Sequence, residues 1–109
     1  MASVEIDAGI CGFQTRASAI SEDQQNVVIE VTSACEKIAQ LGEALKAQGT
    51  IDAFQEISPA SESVLMGIVR ENLKGCCAGC AVPAGLFKAM QVAAGLALPQ
   101  DINIRLTRE

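Results

Sequence analysis

The sequence predicts an α+β two-layer sandwich: a mostly antiparallel sheet of about four strands, three N-terminal and one C-terminal, covered on one face by three helices. Three observations predict it. Strand-like alternation fills the first third of the chain, helical spacing fills the middle, and alternation returns near the end. Strands segregated from helices, with no βαβ repeat, belong to the α+β class. The chain has 109 residues, half of them hydrophobic, and no linker, internal repeat or low-complexity tract, so 1–109 reads as a single domain with its own core.

Ser3-Val4-Glu5-Ile6-Asp7-Ala8 alternates apolar and polar residues, as a half-buried strand does. Gly9-Ile10-Cys11-Gly12 reads as a turn with two glycines free to take positive φ. Residues 13–20 form a weaker strand with Phe13, Thr15, Ala17 and Ala19 on one face, and Ser21–Gln25 is a polar turn. Val27-Val28-Ile29-Glu30-Val31 is a strong β-branched run. Ser33 and Glu36 have the spacing of a capping box, and Ile38, Leu41, Gly42 and Leu45 line one face of the helix behind it, which Gly49 stops.

Ile51, Phe54 and Ile57 stand at three-residue spacing, one or two helical turns. Ser58-Pro59 is expected to start a further helix with Leu65, Ile68, Val69 and Leu73 as its buried stripe and Gly75 as its end. Pro83 opens a last helix expected to reach Leu98, before Pro99. Asp101–Thr107 reads as the closing strand, with Ile102, Ile104 and Leu106 inward and Asn103, Arg105 and Thr107 outward.

Composition excludes several functions. The net charge is −5 and the sequence pI about 4.6, which argues against nucleic acid and against an anionic membrane surface. There is no His, so catalytic Ser-His and Cys-His pairs and His-ligated metals are ruled out within one chain. The 75–85 stretch lacks a phosphate-binding glycine pattern. Glu5, Asp7 and Arg105 read as a solvated sheet face, and Lys88 as an edge or interface lysine. Met1–Ile10 has no basic segment and carries Glu5 and Asp7, unlike a signal peptide, and residues 81–99 are too interrupted to span a membrane. A cytoplasmic protein with reduced thiols is expected.

What remains for chemistry is five cysteines. If successive elements alternate in direction, the turn with Cys11, the helix start with Cys35 and the run Cys76-Cys77-Ala78-Gly79-Cys80 all fall at one end of the domain. Helix starts favour thiolate, the form that binds metals. The expected function is a small module binding a metal ion through Cys11, Cys35, Cys77 and Cys80, with Cys76 as a substitute ligand. The group held is an iron–sulfur cluster or Zn. No activity as an enzyme is expected. Two alternatives stay open: a non-enzymatic protein-interaction domain with structural cysteines, and a thiol redox protein using Cys77 and Cys80. The apolar circumference of the last helix points to a homodimer, with Leu86, Met90, Ala93 and Ala97 on one of its sides.

Asp7-Ala8-Gly9-Ile10-Cys11-Gly12-Phe13, with Cys80-Ala81-Val82-Pro83-Ala84-Gly85-Leu86-Phe87-Lys88-Ala89 and Val92-Ala93-Ala94-Gly95-Leu96-Ala97-Leu98-Pro99, resembles a family of short uncharacterised cysteine-containing proteins from anaerobic prokaryotes. That family carries no established activity. Thr32-Ser33-Ala34-Cys35 is more faintly similar to the cysteine-bearing domain of cobalamin-dependent ribonucleotide reductases. That similarity implies thiol or metal chemistry, and an anaerobic setting implies iron–sulfur over zinc.

Overall fold

The computed structural model describes residues 1–57, 62–75 and 80–109. Its sheet contains β1 (Ala2–Asp7), β2 (Gln14–Ile20), β3 (Asn26–Ser33) and β4 (Thr50–Asp52), in the spatial order β1-β2-β3-β4 and antiparallel throughout. The helices are α1 (Glu36–Gln48), α2 (Ala53–Ile57), α3 (Val64–Asn72) and α4 (Val82–Ala93). The fold is α+β. No described helix is long and apolar enough to cross a membrane.

The period-2 pattern fixes which residues face the helices. Val4 pairs with Ala17 and Ala17 with Val31, and Ala19 pairs with Ile29. These inward residues, with Thr15 and Val27, form the floor of the core. β2 contributes only Thr15, Ala17 and Ala19 to that floor, all buried and all small. Over them lies α4, and over β3 lies α1. The two helices come close through glycine. A Cβ on Gly85 would collide with the Ile6 side chain, and one on Gly42 would stand 3.1 Å from the Val31 carbonyl oxygen.

The fourth strand is not the expected one. Thr50–Asp52 pairs with Asn26–Val28, while residues 98–109 carry no secondary structure and stay exposed. Three residues are too few to show an alternation, and the apparent Ile51-Phe54-Ile57 stripe hid them. Ile51 is buried as a strand residue, Phe54 and Ile57 are about half exposed, and Ala53 and Glu56 turn inward instead.

α4 also ends earlier than expected. Gly95 takes φ +76°, its N–H donates to the Val92 carbonyl at 3.1 Å, and Leu96 N–H donates to the Gln91 carbonyl at 2.8 Å. This Schellman pair closes the helix before Leu98. Of the helix expected at or near a dimer contact, the side with Leu86 and Met90 is buried inside the chain, between the sheet and the flanking helices. The capping box at the start of α1 is likewise replaced: Cys35 is the N-cap and makes no side-chain cap bond.

The start of α3 is built by a carboxylate from α2. Glu56, 5% exposed, accepts from Ser63 Oγ and Leu65 N–H at 2.7 Å each and from Val64 N–H at 3.0 Å. Ser63 Oγ in turn accepts from Met66 N–H at 2.9 Å. The orphan amides of the first turn are thus satisfied, and the anion sits at the positive end of the helix. α3 begins at Val64, with Glu62 and Ser63 non-helical; the start expected at Ser58-Pro59 lies outside the described residues.

Two measurements follow. Glu56→Ala should lower unfolding free energy by about 2–4 kcal/mol in denaturant titration, and Glu56→Gln by less, because the amide keeps one acceptor. Asp23, in the β2–β3 turn, accepts from Asn26 Nδ2, Asn26 N–H and Gln25 N–H. The Asn26 side chain is the largest influence, and together these bonds lower the carboxyl from 3.8 to about 2. The bonds therefore stabilise the fold above pH 3.8 and are lost as pH falls through about 2. An NMR titration should find that midpoint, and Asn26→Ala should raise it.

Candidate functional site

The cysteine-bearing end of the sheet is where β1 finishes, β2 begins, β3 finishes and α1 starts. α4 starts there too. Its Gly85 abuts Ile6, near the end of β1, and its closing Gly95 lies beside Gln24, in the turn at the opposite end. Cys11, Cys35 and Cys80 therefore share one end of the fold. Cys76 and Cys77 lie outside the described residues.

Each described cysteine is held differently. Cys11 rides on the β1–β2 turn, where Gly9 and Gly12 take φ +86° and +75°. Gly12 N–H donates to the Gly9 carbonyl at 2.9 Å and Gly9 N–H to Asp7 Oδ1 at 3.3 Å. Residues 9–14 are all exposed, so the turn projects and its thiol meets solvent. Cys35 is half-buried at the α1 start and packs on the core margin. A hydroxyl chain sets its backbone: buried Thr15 donates to Ser33 Oγ at 2.9 Å, and Ser33 Oγ accepts from Cys35 N–H at 3.2 Å. Cys80 precedes α4 and is also half-buried against the core.

Sharing an end does not gather the side chains. Among the described residues no three Cys, Asp or Glu groups are placed to hold one metal ion. The projecting turn carries Cys11 outward, whereas Cys35 and Cys80 pack on the margin of the core. The same end has a shallow, polar hollow of about 190 Å³ lined by Glu5, Asp7, Gln14, Thr15, Arg16 and Ile6. Glu5 and Arg16 face each other across β1 and β2 at 3.4 Å, both largely exposed, which is a solvated surface pair of little energetic weight.

The family model for DUF6951, a family of unknown function, matches residues 2–106. The chain belongs to that family. The match takes in the four described strands, the four described helices and Cys11, Cys35, Cys76, Cys77 and Cys80. No curated protein and no solved structure matches the chain.

The buried carboxylate of Glu56 is the residue that sequence reasoning missed. Its partners stand seven to nine positions away, beyond any local cap pattern, and the one usable signal was the Ser63 cap itself. In metal-free protein, iodoacetamide should alkylate Cys11 faster than Cys35, because access to the thiol differs. Peptide mapping of the modified chain measures this.

Proposed function

We propose that this protein is a small binding module of a reducing, cytoplasmic setting whose cysteine end holds a thiophilic metal centre, either an iron–sulfur cluster or Zn. The ligands are Cys11, Cys35, Cys77 and Cys80, with Cys76 able to substitute. The observation carrying the reading is the shared location of Cys11, Cys35 and Cys80, which come from a turn, a helix start and the approach to another helix. Soft thiolates from separate loops suit both groups, and neither requires the His that this chain lacks. Gly9 and Gly12 give the Cys11 turn the backbone freedom to fold inward around a ligand. The faint likeness around Thr32–Cys35 to the cysteine-bearing domain of cobalamin-dependent ribonucleotide reductases, and an anaerobic source, belong to the same proposal and favour the iron–sulfur form.

A second reading, a protein-interaction module with structural cysteines, is favoured by Ile10 and Phe13, both exposed on the β1–β2 turn. Anaerobic purification with metal analysis and visible spectroscopy separates the two. The metal reading expects stoichiometric Zn, or iron with sulfide and a charge-transfer band, lost in Cys35→Ser and Cys80→Ser. Metal-free protein with no such band, and only modest destabilisation by Cys11→Ser and Cys35→Ser, overturns it in favour of the interaction module.

A further inference from the structure

The described chain has an open sheet edge and an unused strand. β1 is the long edge: six residues, with β2 on one side and no strand on the other. It carries no proline, and every second residue turns its backbone N–H and C=O outward, a template for another strand. Its core-side residues Val4 and Ile6 pack against the core yet stay partly exposed. The opposite edge, β4, has three residues and runs straight into α2.

The unused strand is the arm after α4. Leu98 is 89% exposed, Ile102 54%, Ile104 72% and Leu106 92%. Three of these alternate strictly with Asn103, Arg105 and Thr107. Such a row has one apolar face and one polar face, the pattern of a strand at the margin of a sheet. The described chain measures 44 × 27 × 26 Å along its principal axes. At about 3.3 Å per residue, an extended arm reaches well past its own body.

We propose that Asp101–Thr107 pairs with the β1 edge of a second copy of this chain, and that the two copies exchange arms. The faces and charges match. With Ile102, Ile104 and Leu106 on the helix side, the arm extends the Val4–Ile6 row and covers it. Arg105 then lies on the outer face beside Glu5 and Asp7, extending the Glu5–Arg16 pair into a charge ladder across three strands. One chain carries both the edge and the arm, so a two-fold arrangement satisfies both at once and closes. The family match runs through Leu106, so the apolar row belongs to the family's unit. This interface uses none of the cysteines.

Sedimentation and light scattering of the full chain at micromolar concentration should give twice 11.4 kDa. Ile104→Lys with Leu106→Lys should give a folded monomer that loses only the stabilisation dimerisation adds, since both side chains are exposed in the single chain. Arg105→Glu should weaken dimerisation about tenfold, because each of the two symmetric contacts loses an opposite-charge pair. Adding Glu5→Lys should recover part of that loss. Amide exchange should show protection at alternate positions of 102–107 in the dimer alone. A monomeric full chain overturns the proposal, whether its arm amides are unprotected or are protected by docking on the chain's own β1. A dimer that survives the double lysine variant also overturns it, because the interface then lies elsewhere.

Discussion

The seating of α4 on the β1–β2 half of the sheet is the contact on which the rest of the molecule depends. Thr15, Ala17 and Ala19 leave a shallow floor, and Gly85 removes the one side chain that would hold the helix away from Ile6. Close approach lets Leu86 and Met90 reach full burial at once. The same seating points the start of α4 at the end of the sheet where β1 and β3 finish. Cys80 shares an end with Cys11 and Cys35 for that reason, and not through any local feature of the cysteine run.

The other half of the helical layer is tied by polar contacts. Glu56 spans the break between α2 and α3 and fixes where α3 begins, so Leu65 and Val69 come to face α1 and the core. Asp52 does the same at smaller scale: it accepts from Phe54 N–H at the start of α2 and from Gln25 Nε2 in the β2–β3 turn. The apolar half is set by shape and the polar half by acceptors aimed at helix amides. Each orders what the other leaves free.

Much of this was legible in the sequence. The alternations of Val4–Ile6 and Val27–Val31 gave β1 and β3, Thr15-Ala17-Ala19 gave the inner face of β2, and Ile38-Leu41-Leu45 gave the buried face of α1. β4 was hidden because its three residues hold one apolar side chain. The end of α4 was misplaced because Gly95 sits among small apolar residues, where its positive φ cannot be seen. The alternation of Ile102, Ile104 and Leu106 is real, yet a strand needs a neighbour as well as a pattern, and the single chain supplies none at that place. For the site, direction along the chain sufficed to send Cys11 and Cys35 to one end. Convergence of the thiols depends on turn geometry and side-chain packing, which spacing does not encode.

The Schellman closure at Gly95 divides the folded body from the arm that follows it. The hydrogen bonds that end α4 come from Gly95 and Leu96, and no core residue lies beyond Ala94. The packing of the body is therefore complete without residues 98–109. A protease that trims this exposed arm would leave the folded core intact.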